Sequence, residues 1–368
     1  MSKLKKCFNG KKVLLTGHTG FKGSWLTIWL KALGADVIGL SVDVPSKPSN
    51  YEASELQSLI TDYTVDIRDA DKVKDIVQKH SPDFVFHLAA QALVRPSYES
   101  PLETIETNAL GSANILDALR SVSHPVVAVM ITSDKAYDNV EWVWGYRETD
   151  RLGGKDPYSA SKGMAELAIR TYVESFFNQP DSNVRVGITR AGNVIGGGDW
   201  AKDRIVPDCI RAWSAADEVE IRSPHATRPW QHVLEPLSGY LVLAMELSKS
   251  QVKNGEAYNF GPQATQNYSV GELIHEMCKH WDSVSWKDVS TNQENVHEAG
   301  LLKLNCDKAL FDLQWLPTLN YSEMVQMTIE WYKEYYDSKP QSMIEYSMSQ
   351  IENYMMLANE RGLAWAME

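Results

Sequence analysis

The sequence predicts an α/β fold in which a doubly wound parallel sheet carries a smaller mixed α/β lobe. Three observations lead there. Between residues 12 and 190 short apolar runs alternate with longer amphipathic stretches, the rhythm of repeated strand–helix units. A glycine-rich turn, Gly17-His18-Thr19-Gly20-Phe21-Lys22-Gly23, follows the first run and opens the first amphipathic stretch. Beyond about residue 192 the rhythm breaks into shorter pieces rich in Gly, Pro, Trp and His.

Taken in order, the strands are expected at Lys12–Leu15, Val37–Val42, Tyr63–Val65, Phe84–Leu88, Val126–Thr132 and Val184–Thr189. Between the first two, Phe21, Trp25, Ile28, Trp29 and Leu33 recur at three- and four-residue spacing and Gly34 follows as a stop, which makes a helix with one buried face. Gly196-Gly197-Gly198-Asp199-Trp200 and Arg228-Pro229-Trp230-Gln231-His232 suit loops lining a cleft rather than another sheet. Helices return at Leu237–Lys249, Val270–His280 and Tyr321–Tyr336. The last thirty or so residues, with Met343, Met348, Tyr354, Met355 and Met356, read as a helical tail packed on the body.

Composition bounds the function. The 368 residues are 43% hydrophobic and 23% charged with 22 Gly and 15 Pro, a folded globular chain of roughly two units. A net charge of −12 repels nucleic acid and anionic lipid, so a phosphorylated ligand must be held by a local site. Cys7, Cys209, Cys278 and Cys306 match neither a zinc spacing nor a disulfide framework, which points to a reduced, cytoplasmic setting. The charged N-terminus runs into no signal-peptide core, and no window approaches the roughly 20 apolar residues of a membrane span.

The glycine turn carries the first chemistry. Glycines after a strand let the backbone turn sharply toward a pyrophosphate, which then rests on the free N–H groups at the helix start; Gly17, Thr19, Gly20, Phe21, Lys22 and Gly23 are the expected contacts. Twenty residues past Gly23, Asp43 stands where a carboxylate can accept from ribose hydroxyls and repel a 2′-phosphate, which favours NAD over NADP. Asp66 and Ile67 are placed to hold and cover the adenine. The small residues of Leu88-Ala89-Ala90 let the backbone lie against the cofactor.

Tyr158 and Lys162 lie four apart on one face of a helix running to about Phe177. A phenol titrates near 10 in water, so Tyr158 can act as a base at neutral pH only beside positive charge, which Lys162 and an oxidised nicotinamide would bring. Together the glycine turn and this pair resemble the extended short-chain dehydrogenase/reductases. The preceding strand ends in Ser133-Asp134-Lys135, two titratable groups where eliminating water needs one proton removed and another delivered.

Longer stretches narrow the resemblance. Gly17–Trp25, Glu141–Tyr146, Arg190–Trp200 and Arg228–Pro236 are similar to the CDP-glucose 4,6-dehydratase family from roughly residue 10 to 320. That resemblance implies a Rossmann NAD-binding unit over 1–191 to which later segments return, a mainly substrate-binding lobe over 192–340 and the tail over 341–368. It implies C4 oxidation of a nucleoside diphosphate hexose, elimination across C5 and C6, and hydride return to C6, with CDP-D-glucose as substrate. Ser133 would bond the C4 hydroxyl, Tyr158 would take its proton, and Asp134 would protonate the departing C6 hydroxyl. Lys135 is either the C5 base or an electrostatic stabiliser of the enolate. Arg95, Asn193, Arg204 and Arg228 would hold the substrate, Arg by its planar fork on phosphate. His87, His225 and His232 read as structural, no metal is required, and a homodimer is the usual assembly. The competing readings are a 4,6-dehydratase for another nucleotide, a sugar-nucleotide epimerase, and a non-enzymatic nucleotide sensor.

Overall fold

The computed structural model describes residues 2–250, 253–282, 284–290 and 301–367. The predicted runs form β1 (Lys12–Thr16), β2 (Asp36–Ser41), β3 (Thr61–Thr64), β4 (Phe84–His87), β5 (Val126–Ile131) and β6 (Val184–Ala191), all in one sheet. Its order is Ala257–Phe260, β6, β5, β4, β1, β2, β3, with every neighbouring pair parallel. β1, β2 and β4 to β6 are buried on both faces, which is why they read as continuous apolar runs, whereas the edge strand β3 is half-exposed and mixed in sequence. Val13 and Leu15, Phe84 and Phe86, and Val127, Val129 and Ile131 enter one core, whereas Leu14, Val85, Ala128 and Met130 enter the other.

The first core is covered by the helices Phe21–Ala32, Leu234–Lys249 and the C-terminal Ile344–Glu360. Ala70–His80, Gly111–Leu119 and Pro157–Tyr172, the last extended through Phe177, cover the second. The tail packs as expected: Tyr354 is fully buried, 5.7 Å from Trp29 edge to face, and its hydroxyl donates to Glu235 at 2.7 Å.

Beyond residue 192 the structure adds elements the sequence left unassigned, the helices Ile205–Ser214 and Asp307–Leu313 and a seventh strand, Ala257–Phe260, beside β6. It also forms three two-stranded sheets, pairing Val194–Ile195 with Gln231–His232, Thr227–Arg228 with Tyr268–Ser269, and Val219–Ile221 with Trp286–Asp288. Pieces of two or three residues complete their hydrogen bonds through partners distant in sequence, so no local periodicity announces them.

The strand order reverses between β1 and β4. Crevices at the carboxyl ends of such strands are where parallel α/β sheets bind ligands.

Candidate active site

Gly17 leaves β1 with φ +74°, and a Cβ there would lie 2.7 Å from the amide nitrogen of Ala89. Gly23 is equally closed to a side chain, since its Cβ would fall 2.0 Å from the Gly17 carbonyl oxygen. The turn thus packs backbone on backbone at the switch point. Gly20 precedes the helix at Phe21 and makes no side-chain cap, leaving the first-turn N–H groups for an anion. Leu88, Ala89 and Ala90 line the other lip, the Leu88 N–H bonded to Thr16 O at 3.1 Å and the Ala89 N–H to Thr16 Oγ1 at 3.2 Å.

Thr19 ties the turn to the end of β2 by donating to the Asp43 carbonyl at 2.6 Å, and the Asp43 side chain is exposed just beyond that strand. Asp66 is gripped by Arg68, whose Nε donates at 2.9 Å and whose guanidinium holds the carboxyl below the usual carboxylate range. Ile67 is buried against Gly111, where a Cβ would lie 2.5 Å from its Cδ1. His18, which the sequence offered only as part of the motif, fills the space beneath the turn. Its Nδ1 bonds Ser41 Oγ at 2.9 Å, its Nε2 stands 2.8 Å from Asp62, and burial pushes its pKa down against the pull of Asp62.

The second cluster forms where β5 meets the helix Pro157–Tyr172. Asp156 caps that helix by accepting the Ser159 N–H at 2.9 Å, and Pro157 occupies the first turn, where its missing N–H costs nothing. Tyr158 and Lys162 sit one turn apart, 8% and 6% exposed. Ser133, at the end of β5, hydrogen-bonds the Tyr158 phenol and donates to Asp134 Oδ1 at 2.9 Å. Asp134 is 4% exposed and rests on Gly192, whose Cβ would fall 1.8 Å from Asp134 Oδ2. Lys135 is exposed, its ammonium 5.9 Å over the Tyr158 ring centroid.

Electrostatics sort these groups. Burial pushes the Tyr158 phenol up to about 12, Asp134 adds to that, and Ser133 and Arg204 oppose it. Lys162 is pushed down to about 7 by burial and then by Lys22, with Glu166 opposing. Lys22 itself is lowered to about 8 by burial and by Arg204, against the attraction of Asp134. Arg204 is the cation that bears on the phenol, and it does not outweigh burial. Added positive charge is what would release that proton.

Of the four substrate-side residues, Arg204 joins this group electrostatically while paired to Asp199 at 2.7 Å. Arg95 is exposed and bonded to Asp203 at 2.8 Å. Asn193 adopts φ +50° and its carbonyl accepts the Gln231 N–H at 3.2 Å. Arg228 is half-buried in the short strand opposite Tyr268, donating to Thr227 O at 2.9 Å.

His87 is spent inside the sheet between Thr16 Oγ1 at 2.8 Å and Ser112 Oγ at 3.1 Å, lowered to about 3 by burial and then by Lys162. His232 is likewise lowered to about 3 by burial. Among the described residues no three His, Cys, Asp or Glu side chains converge as a metal ion requires.

Sequence reasoning missed the support beneath the site. Glu166 continues the face of Tyr158 and Lys162, accepts from Arg190 Nε at 2.6 Å and from Thr132 Oγ1 at 2.8 Å, and is fully buried with Arg190. Arg190 also donates to Tyr137 Oη at 2.6 Å, and Tyr137 donates to Asn259 at 2.8 Å. The four-residue spacing from Lys162 was the one local sign. Glu166 thereby fixes the strand end bearing Ser133 against the helix bearing Tyr158.

Residues 14–328 match the GDP-mannose 4,6 dehydratase family. The chain is 44% identical over 355 residues to a CDP-glucose 4,6-dehydratase of Salmonella typhimurium, covering 95% of this chain and 98% of that one. A dTDP-glucose 4,6-dehydratase of Streptomyces antibioticus is 27% identical, with 88% and 92% covered. The fold is shared with DesIV, a dTDP-glucose 4,6-dehydratase of Streptomyces venezuelae solved with NAD and TYD bound, at a TM-score of 0.72, 21% identity and coverage of 88% and 97%. It is shared too with a UDP-glucose 4-epimerase of Thermotoga maritima at a TM-score of 0.74, 22% identity and coverage of 88% and 99%. The chain, with its glycine turn on the switch point and its tyrosine–lysine helix beside Ser133 and Asp134, belongs to the GDP-mannose 4,6 dehydratase family, on the branch of the CDP-glucose 4,6-dehydratases.

Proposed function

We propose that the protein dehydrates CDP-D-glucose to CDP-4-dehydro-6-deoxy-D-glucose, using NAD. The observation that carries this reading is the near-full-length similarity to a CDP-glucose 4,6-dehydratase, together with Ser133, Asp134, Tyr158 and Lys162 in one buried cluster. The cradle suits the cofactor: Gly17 and Gly23 leave no room for a Cβ, and the buried Tyr158 phenol, raised despite Arg204, needs a further cation to ionise. Gly17, Thr19, Gly20, Phe21, Lys22 and Gly23 would hold its pyrophosphate, Asp43 its ribose and Asp66 with Ile67 its adenine, while the backbone of Leu88–Ala90 would lie against it. When bound, NAD supplies an acceptor for the C4 hydride, returned later to C6.

The chain's own residues do the rest. Ser133 holds the C4 hydroxyl against Tyr158, which removes its proton as the C4 ketone forms. The ketone acidifies C5–H. Lys135, exposed at the mouth, removes that proton or stabilises the resulting enolate, while Asp134 delivers a proton to the C6 hydroxyl as it leaves as water. Lys162, one turn from the phenol and lowered to about 7 by burial, holds its proton more firmly once the phenolate forms. Arg204 at the cluster, with Arg95, Asn193 and Arg228, would take the diphosphate and its surroundings, chiefly from the 192–340 lobe, and 1–191 would serve the cofactor.

Leu102, Leu110, Met164 and Leu167, exposed on neighbouring helical segments, support a homodimer seam. The four cysteines are free, which suits a reducing cytoplasm, and among the described residues no helix is long and apolar enough to cross a membrane. The test is to incubate the purified protein with NAD and a panel of nucleoside diphosphate hexoses and follow product mass. Loss of one water from the CDP sugar is expected; an unchanged mass with inverted stereochemistry would mean an epimerase.

A further inference from the structure

A cavity of about 210 Å³ opens directly on Asp134. Typical small-ligand pockets hold roughly 300–1,000 Å³, so this one is on the scale of a single ring rather than a whole nucleotide sugar. Gly192 and Gln231 line its inner wall, and Val143 and Trp144 its rim. The inner wall has an unused group. Gln231 is 2% exposed and donates from Nε2 to the carbonyls of Gly192 at 3.0 Å and Phe260 at 2.9 Å, which fixes its carboxamide and leaves Oε1 with no partner. That acceptor is enclosed in the wall, so the wall's shape is set by the two bonds from Nε2.

The rim is unusual in the opposite sense. Val143 and Trp144 are each 70% exposed, yet the loop that carries them is pinned at both ends. The Tyr146 hydroxyl accepts the Val140 N–H at 2.7 Å and donates to Asn139 Oδ1 at 3.0 Å, drawing the two ends of the loop together. Tyr146 N–H bonds Lys303 O at 2.8 Å, and its ring stacks 5.0 Å from Tyr137, which is anchored in turn to buried Arg190. Trp142 packs on Tyr146 at 5.2 Å and meets Trp144 edge to face at 6.2 Å. A large apolar side chain held in water by an ordered base implies a ligand that covers it.

We propose that Trp144 packs on the apolar C–H face of the substrate's pyranose ring at the rim of this cavity, with the ring lying over Asp134 and extending beyond the cavity to Ser133 and Tyr158, which do not line it. This rests on the functional reading above. The occupant is the hexose, not the nucleoside, because the acid assigned to the C6 hydroxyl shares so small a cavity with the indole. Trp144 then determines substrate fit and shields the elimination from water.

The test compares wild type, Trp144→Ala and Trp144→Phe, all with NAD and CDP-glucose. Trp144 supports no buried contact in the core, so the variants should melt with the wild type. Trp144→Ala should lower kcat/KM about tenfold or more, mainly through KM, and Trp144→Phe should recover most of it. The inhibition constant of CDP and the affinity for NAD should stay unchanged. Unaltered kinetics in Trp144→Ala would overturn the proposal. So would a matching loss of CDP affinity, which would put the indole on the nucleoside. A wild type that dehydrates no nucleotide hexose would instead remove the functional reading itself, and this proposal with it.

Discussion

Replacing Gly192 by alanine isolates one contact on which the elimination depends. A Cβ there would lie 1.8 Å from Asp134 Oδ2 and 2.3 Å from its Cγ, whereas ordinary contact begins near 3.4 Å. Gly192 lacks a positive φ, so the backbone accepts alanine and the Asp134 carboxyl has to give way. Its retreat, about 1.6 Å by those distances, also breaks the 2.9 Å bond from Ser133. A misplacement of about 1 Å in a catalytic group costs on the order of a hundredfold in rate, so Gly192→Ala should lose about that much kcat for water release. Oxidation at C4 belongs to Tyr158 and Ser133, so it should still proceed. In stopped flow the absorbance of reduced nicotinamide should therefore rise and persist in the variant. Wild-type kcat in Gly192→Ala would refute this account of Asp134, as would loss of NAD binding with an altered melt.

Three further outcomes follow from the same geometry. Glu235 is fully enclosed and burial raises it from 4.5 to about 7 against the N–H groups of Thr318 and Leu319. A raised folded-state pKa gives stability that is complete below the unfolded value and lost as pH climbs through the folded one, here about 3 kcal/mol between pH 4.5 and 7. Thermal melts of wild type against Glu235→Gln should show that slope only in the wild type. Glu166→Ala leaves the Arg190 guanidinium buried and unpaired, which should cost about 3–5 kcal/mol in urea unfolding; a loss under 1 kcal/mol would show that the pair adds little. Gly17→Ala drives a Cβ into Ala89 N at 2.7 Å and should weaken NAD binding in calorimetry while the far-ultraviolet spectrum holds, and unchanged affinity would separate the turn from the cofactor.

How much of this was legible in the sequence depends on how local each signal is. β1, β2 and β4 to β6 declared themselves because strands covered on both faces are uninterrupted apolar runs, while the half-exposed edge strand β3, of mixed sequence, begins two residues before the run that marked it. Ala257–Phe260 did not, because four residues of mixed type become a strand only through their pairing with β6. The glycine turn was readable since its requirement, backbone free of Cβ, belongs to the turn itself. Tyr158 and Lys162 were readable through helical spacing. The Gly192 contact with Asp134 and the Glu166–Arg190–Thr132 clamp join segments far apart in the chain, which no periodicity reveals. Arg95 shows the same limit: the sequence offered a cation for the sugar, and the fold adds Asp203 as its neighbour.

Labelling C4 of the sugar puts the central idea to its most direct trial. CDP-glucose carrying deuterium at C4, incubated with the protein and NAD in ordinary water, should yield a dehydrated product with that deuterium at C6 and a solvent proton at C5. Deuterium lost to solvent, or retained at C4, would contradict the account.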